Sequence, residues 1–252
     1  MTESGAWNAA GDGSWQGVAM AARFLNDLNH GVRPPIPSST IPHHFIGDIC
    51  DRLLAQVTHW VYFIGASHSD TQILGGGSRQ QDMHWVATFA NNGTYKLMPT
   101  YHYAKQLRAT FDLGARLRHS VANISTPGQR EASEMDWTYG KHSDIYAAVG
   151  ENPDGSWGIG VVNPTGCPTV EDLNGKNTSL FSDAKTLTVQ VLIAELADSD
   201  APLKFAAQRS TGKSSYAAKE EAVAMVGGRL TVVVGPNELL TLRSGKAQGV
   251  EE

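Results

Sequence analysis

The first part of the chain carries a helical and then a strand-like hydrophobic pattern. The segment GSWQGVAMAARFLNDLNHG places apolar residues on one side of a helix, and Gly31 stands where that helix would end. The residues on that side are Val18, Ala21, Ala22, Leu25 and Leu28. After a proline-rich break, HHFIGDICDRLLAQ predicts a second helix at residues 43–56. It leads into VTHWVYFIGA, an apolar run that predicts a strand at 57–64, covered on both faces as in a parallel sheet.

The next segment combines a loop, a short apolar piece and a helix. SHSDTQILGGGSRQQ, which contains His68, has the composition of a loop, and the apolar piece HWVATFA follows it. Further on, Tyr103, Leu107 and Phe111 recur at the spacing of a helix face, and Gly114 stands where the helix would end. A helix feeding a buried strand, followed by a further helix, is typical of an α/β region.

From residue 116 the pattern changes to short apolar runs separated by turn-forming residues. Seven runs predict strands: DIYAAVG, SWGIGVVN, TLTVQVLIAEL, LKFAAQRS, EAVAMV, RLTVVVG and ELLTLR. Strands at this spacing, with Gly, Pro, Asn and Asp between them, predict an antiparallel β-sandwich.

The chain therefore divides into an α/β region at 1–115, an all-β region at 116–244 and a polar tail at 245–252. The α/β region is incomplete as a fold, because its one clear buried strand, 57–64, has no strand neighbour there except the one that MTES would end. A parallel strand needs such a neighbour for its backbone hydrogen bonds.

Composition excludes several classes of partner. The chain has 252 residues, 41% of them hydrophobic, and 20 basic against 25 acidic residues give a net charge of -5. Without a polybasic run, nucleic acid is not an expected partner. No apolar stretch approaches the length of a membrane span, and the first residues lack the pattern of a signal peptide. Cys50 and Cys167 could form a disulfide or remain two buried thiols.

The sequence contains no motif for metal or phosphate chemistry. The His43-His44 pair has no HExxH context, GGGSR lacks the Lys of a phosphate-binding loop, and adjacent Ser, His and Asp in SHSD do not form a triad. Aromatic residues near strand ends are the better candidates, because flat π surfaces pack against the apolar faces of sugar rings. The candidates are Trp7, Trp15, Trp60, Tyr62 and Phe63, and His68 and Asp70 could hydrogen-bond hydroxyl groups.

The order of these segments resembles the C-terminal part of a clan A glycoside hydrolase of the family 30 type, in which a (β/α)8 barrel is joined to a β-sandwich. The similar segments are MTESG, as the end of barrel strand seven, then ARFLNDLNHG, then HWVYFIG as strand eight, and TYKLMPTYHYAKQLRATFDLGARL as the last helix and its exit. The segment Tyr101–Arg116 is the most specific of these.

The resemblance implies a partial barrel followed by a sandwich, and it implies roles for individual residues. Glu3 would be the nucleophile of a retaining β-glycosidase that needs no cofactor, with Trp7, Trp60, Phe63 and His68 contacting the substrate. Phe63 stands where the family commonly has a tryptophan.

Several further expectations follow from the same resemblance. The acid/base glutamate would lie in a missing N-terminal part of the barrel, so that this chain alone would be inactive, and the parent protein would be extracellular. The alternative is a non-catalytic β-sandwich module, with a remnant barrel edge, that binds carbohydrate or packs on a neighbouring domain.

Overall fold

The structure, a computed structural model, describes the chain in thirteen segments: residues 2–4, 14–31, 60–62, 66–68, 87–89, 94–97, 99–118, 143–167, 170–171, 177–178, 183–199, 201–211 and 215–245. The predicted helix at 43–56 lies outside these segments, as do Trp7, Cys50 and Phe63.

The described residues form two α-helices and fifteen strands. The helices are α1 (Ser14–Gly31) and α2 (Pro99–Thr110). The strands before residue 143 are β1 (Thr2–Ser4), β2 (Trp60–Tyr62), β3 (Ala66–His68), β4 (Ala87–Phe89), β5 (Tyr95–Leu97) and β6 (Arg116–Arg118). The later strands are β7 (Tyr146–Glu151), β8 (Trp157–Asn163), β9 (Val170–Glu171), β10 (Asn177–Thr178), β11 (Leu187–Leu192), β12 (Leu203–Thr211), β13 (Ser215–Met225), β14 (Arg229–Val234) and β15 (Glu238–Ser244).

Most of these strands are antiparallel. The largest sheet has six strands in the order β13-β12-β15-β8-β7-β6, and β11 pairs with β14 in a second, two-stranded sheet. Among the described strands, parallel pairing occurs between β1 and β2 and between β3 and β4. The described fold is therefore mainly antiparallel sheet with few helices. A partial (β/α)8 barrel followed by an antiparallel β-sandwich remains a prediction from the sequence.

The periodicity of α1 predicted its buried face correctly. Val18, Ala21, Ala22, Leu25 and Leu28 are all buried, and α1 packs on α2, β7 and β8. The two helices approach closely at Gly17, where an added Cβ would lie 2.4 Å from the Tyr103 ring. The predicted face of α2 is likewise buried at Tyr103, Leu107 and the following Phe111.

The two central strands of the six-stranded sheet are buried on both faces. All seven residues of β8 are buried. In β15, Leu239 belongs to the core shared with α1 and α2, whereas Leu240 and Leu242 belong to the core shared with β11 and β14. Because side chains alternate along a strand, the sheet separates a helical layer from a second strand layer. The sheet is thus the middle layer of three.

A buried polar network fixes α2 to the middle layer. The Gln106 amide donates from Nε2 to the Gln208 carbonyl at 2.9 Å and to Thr241 Oγ1 at 3.0 Å. Its Oε1 accepts a hydrogen bond from Ser210 Oγ at 2.5 Å. Since unpaired buried amides are costly, this satisfied set of bonds specifies how the helix is oriented on the sheet.

The structure has a strand in each of the seven predicted runs of the C-terminal region, but the end of TLTVQVLIAEL, Ala194–Leu196, is a 3-10 helix. It also corrects three further local predictions. Strand β13 begins at Ser215, six residues before the predicted apolar run at Glu221, because this edge strand continues through exposed charged residues. Arg116–Arg118 forms an additional strand. His68 was predicted to lie in a loop, but it is the last residue of β3, since backbone pairing with β4 outweighs the polar composition of its segment.

Substitution of Gly158 should destabilise the fold strongly. A Cβ at this position of β8 would lie 2.4 Å from the Thr110 carbonyl oxygen, so Gly158→Ala must displace the end of α2 from the sheet. We expect the free energy of unfolding, measured by chemical denaturation, to fall by about 1–3 kcal/mol. Gly245→Ala is the matched control, because nothing lies within 4 Å of its added Cβ. Equal stability of the two variants would contradict the close approach.

The shared core also predicts how residues 116–252 behave alone. Tyr146, Val162 and Leu239 are buried in the cluster that α1 and α2 complete, so removing the helices uncovers this face of the sheet. We expect a polypeptide of residues 116–252 to aggregate or to bind 8-anilinonaphthalene-1-sulfonate, as measured by size-exclusion chromatography and dye fluorescence. The full chain is the control. Cooperative unfolding of a dye-free monomer of 116–252 would show that the sheet needs no helical layer.

Candidate functional site

The predicted nucleophile lies on a parallel pair of strands. Strand β1 pairs with β2 in a register that sets Thr2 opposite Trp60, Glu3 opposite Val61 and Ser4 opposite Tyr62. This confirms, for its described part, that the strand predicted at 57–64 pairs with the one formed by MTES. Parallel strands bring their carboxyl ends to the same edge of a sheet, and Glu3 is one residue from that end of β1.

Of the predicted substrate-binding residues, the structure brings Trp60 to the same pair of strands as Glu3. Trp60 pairs with Thr2, the residue that precedes Glu3, so Trp60 and Glu3 occupy adjacent register positions. Adjacent positions along a strand belong to opposite faces of a sheet. Trp7 and Phe63 lie outside the described residues. The catalytic role of Glu3 and the substrate contact of Trp60 remain predictions.

His68 belongs to a different sheet, formed by β3, β4 and β5. His68 pairs with Phe89 in the parallel ladder, and Phe89 pairs with Tyr95 in the antiparallel ladder. The Tyr95 side chain is 66% exposed on the edge strand β5. The sequence did not single out Phe89 and Tyr95, because residues this far apart in the chain share a register only once the strands have paired.

Another group of rings lies at the N-terminal half of α2. The His102 imidazole stacks on the Tyr216 ring with centroids 4.3 Å apart and planes 7° from parallel, and Tyr101 meets His102 edge-on at 5.3 Å. Burial, together with the charge of Lys105, lowers the pKa of His102. The imidazole is therefore neutral at pH 7, and the stack joins α2 to β13.

A cluster of ion pairs closes the other end of α2. The Arg243 guanidinium donates from Nη2 to Asp112 Oδ2 at 2.5 Å and to Asp154 Oδ2 at 3.1 Å. The hydrogen bond from Arg243 lowers the pKa of Asp112, and hydrogen bonds from Ser156 lower the pKa of Asp154. Both carboxylates are satisfied within the fold, so their altered pKa values reflect a structural role.

The described residues provide neither a metal site nor a reactive thiol. No group of three His, Cys, Asp or Glu side chains among them could hold a metal ion. Cys167 is a free, buried thiol, and its burial raises its pKa to about 12. The sequence allowed either a disulfide or two buried thiols, and Cys167 is a buried thiol. No helix within the described part of the chain is long and apolar enough to cross a membrane.

Comparison with solved structures identifies the fold. The chain matches a glycoside hydrolase family 30 subfamily 8 xylanase from Clostridium acetobutylicum with a TM-score of 0.50 and 11% identity, over 97% of this chain and 41% of the xylanase chain. The fold resembles part of a family 30 glycoside hydrolase. This confirms the resemblance inferred from the sequence, and at this identity it concerns the fold alone.

Two further solved structures are similar to this chain. The catalytic domain of a family 30 xylanase C from Talaromyces cellulolyticus matches with a TM-score of 0.48 and 14% identity, over 97% of this chain and 40% of that one. A glucosidase from Croceicoccus marinus matches with a TM-score of 0.46 and 11% identity, over 95% and 43%. This chain thus spans about two fifths of the length of the structures it matches. No protein-family model and no curated protein matches it.

The His102 environment predicts a pH dependence of stability. Because the folded-state pKa of His102 lies below its unfolded value of about 6.5, the unfolded chain binds the proton more readily, and stability falls as the pH drops through and below 6.5. We expect the free energy of unfolding of His102→Gln to decline less between pH 7 and pH 5 than that of the wild type. Urea titrations at several pH values measure this difference. Equal slopes for the two proteins would contradict the altered pKa.

Proposed function

We propose that this chain carries the nucleophile of a retaining β-glycosidase, with Glu3 in that role. The observation that carries the proposal is the parallel register of Glu3 with Val61, near the carboxyl end of β1, in a chain with a family 30-like fold. In (β/α)8 enzymes the catalytic residues lie at the carboxyl ends of the barrel strands. Strands β1 and β2 would then be adjacent strands of such a barrel.

The chemistry requires two carboxyl groups about 5 to 5.5 Å apart. Glu3 would attack the anomeric carbon and form a glycosyl-enzyme intermediate, while the second group first protonates the leaving oxygen and then activates water. We assign no residue of this chain to the second role. In this proposal the acid/base glutamate belongs to the remaining part of the barrel, and the mechanism requires no cofactor.

The proposal extends to the domains, the substrate class and the location of the protein that the sequence led us to expect. Residues 1–115 would complete the barrel, residues 116–244 would form the sandwich, and 245–252 would be a tail. The substrate would be a β-linked polysaccharide or glycoconjugate, contacted by Trp7, Trp60, Phe63 and His68. The parent protein would act outside the cell, as the resemblance implies.

A second candidate function is a non-catalytic module that binds carbohydrate or packs on a neighbouring domain. One observation favours it: the buried clusters of the described residues surround the six-stranded antiparallel sheet, and α1 and α2 pack on that sheet. In a module of this kind Glu3 would have no chemical role, so a test of Glu3 separates the two candidates.

Covalent labelling tests the nucleophile without the acid/base group. In 2,4-dinitrophenyl 2-deoxy-2-fluoro-β-glycosides the leaving group needs no protonation, and fluorine slows the breakdown of the glycosyl-enzyme. We expect the xyloside or the glucoside to add one glycosyl mass to the peptide that contains Glu3, as measured by mass spectrometry. Glu3→Gln should remain unlabelled. Glu221→Gln is the matched control, because Glu221 is an exposed acid on β13.

Two results would contradict the proposal. Labelling at another carboxylate, or equal labelling of wild type and Glu3→Gln, would exclude Glu3 as the nucleophile. With unactivated aryl β-glycosides we expect no turnover by this chain alone, since no group protonates the leaving oxygen. Turnover that disappears in Glu3→Gln would show that the acid/base group lies within this chain.

A further inference from the structure

The two-stranded sheet of β11 and β14 has an open edge at β11. Strand β11 pairs with β14 over six consecutive residues, and no described strand pairs with its other side. An edge strand presents a row of backbone N–H and C=O groups that can pair with another chain. The sequence of β11, LTVQVL, contains no charged residue and no proline, and its register with β14 runs without a bulge. Strand β11 therefore lacks the features by which proteins usually protect a sheet edge.

The other edges of the two main sheets are protected. At one edge of the six-stranded sheet, β13 carries Lys219, Glu220 and Glu221, and its register with β12 shifts at two places. At the other edge, β6 is three residues long and begins and ends with arginine. On β14, the Val233 carbonyl oxygen accepts a hydrogen bond from Arg209 Nη1. Charged residues, bulges and short strands all discourage pairing at an edge, so β11 differs from the other described edges of these sheets.

Exposed apolar side chains collect on the outer face of the same two-stranded sheet. Five large hydrophobic side chains are exposed in the described part of the chain, and three of them lie here: Leu192, Val226 and Val233. Leu192 and Val226 both lie opposite Arg229, and Val233 lies opposite Thr188. Clustered apolar side chains on a protein surface commonly mark a site of contact with another protein. The open edge and this apolar face thus belong to one surface.

The sequence of β11 matches itself in an antiparallel pair centred on Gln190. In such a pair Val189 lies opposite Val191 of a second copy, and Thr188 lies opposite Leu192 of the second copy. The two valines point towards the core, whereas Thr188, Gln190 and Leu192 are exposed on the outer face. Inner residues therefore meet inner residues and outer residues meet outer ones. The pairing also places exposed Leu192 in one row with Thr188 and Val233 of the second copy.

The charges that flank β11 favour an antiparallel over a parallel pair. Lys185 precedes the strand and Glu195 follows it, so antiparallel pairing brings opposite charges together at both ends. Parallel pairing would bring like charges together. The Lys185 and Glu195 side chains are 44% and 50% exposed, and each forms an ion pair within its own chain, with Asp144 and Arg118 respectively. Exposed charges of this kind contribute more to the orientation of a complex than to its affinity.

We propose that β11 pairs with β11 of a second copy of this chain, in an antiparallel arrangement with its two-fold axis at Gln190. The two small sheets then join into one four-stranded sheet. A two-fold interface presents the same residues from both copies, which the match of β11 with itself provides. A single pair of strands buries a small area, so the dimer forms reversibly and depends on protein concentration. This inference is independent of the role proposed for Glu3.

Sedimentation velocity of the full chain over a wide range of protein concentration tests the dimer. We expect the wild type to pass from monomer to dimer as its concentration rises. Gln190→Lys should raise the dissociation constant at least about tenfold, because it sets two ammonium groups opposite each other at the two-fold axis. Thr231→Lys is the matched control and should dimerise like the wild type. Thr231 lies opposite Gln190 on β14 and is also exposed, so the same charge is added away from the open edge.

A cross-link provides a second readout of the same register. Cysteines directly opposite each other on paired strands lie close enough to form a disulfide, so oxidised Gln190→Cys should run as a dimer on a non-reducing gel. Thr231→Cys and the wild type, which keeps Cys50 and Cys167, should run as monomers.

Four results would overturn the proposal. The first is a wild type that remains monomeric at all concentrations, and the second is a dimer that Gln190→Lys leaves intact. The third is an equal loss of dimer in Thr231→Lys. The fourth is slow hydrogen exchange of the β11 amides in the dilute monomer, which would show that another part of the same chain covers the edge. Unfolding curves of the variants check that these substitutions at exposed positions leave the fold intact.

Discussion

The burial of β8 and β15 on both faces is the constraint on which the rest of the described structure depends. A strand that is apolar on both faces must be covered from two sides, here by α1 and α2 on one side and by β11 and β14 on the other. Removing either layer would expose side chains that are now fully buried, such as Leu239 or Ile159. The two helices are therefore part of the core of the antiparallel sheet.

The two helices of this core directly follow the strands of the candidate site in the sequence. Helix α1 follows β1, which carries Glu3, and α2 follows the sheet that contains His68. Helix α2 is fixed to the six-stranded sheet by the buried network of Gln106 and by the hydrogen bond that Arg243 donates to the Ala109 carbonyl. Helix α1 packs on β7 and β8, and its Gly17 lies against Tyr103 of α2. The antiparallel sheet thus holds both helices in place. These helices follow the strands that carry Glu3 and His68, the residues proposed to contact substrate.

The charged groups of the described residues serve this packing. Arg243 joins β15 to Asp112 after α2 and to Asp154 in the turn between β7 and β8, while Arg118 bridges Glu151 and Glu195 beside the Trp157 ring. Paired and hydrogen-bonded charges of this kind orient elements relative to one another more than they add net stability. We therefore place the proposed chemistry on Glu3 rather than on these ion pairs.

The sequence by itself determined the elements whose pattern repeats locally. The sequence predicted the buried face of α1, the face of α2 that includes Tyr103 and Leu107, and a strand in each of the seven C-terminal runs. Such predictions succeed because apolar spacing along one element depends only on the backbone geometry of that element. The order of the segments also indicated the family 30-like fold.

Tertiary structure alone decided which residues meet. The inclusion of His68 in β3, the start of β13 at Ser215 and the contact of the helices with the antiparallel sheet all depend on backbone pairing and packing between segments that are distant in sequence. The alignment of His68 with Phe89 and Tyr95 has the same origin. Register is set when strands pair, and a shift of one residue would have paired other residues with Phe89.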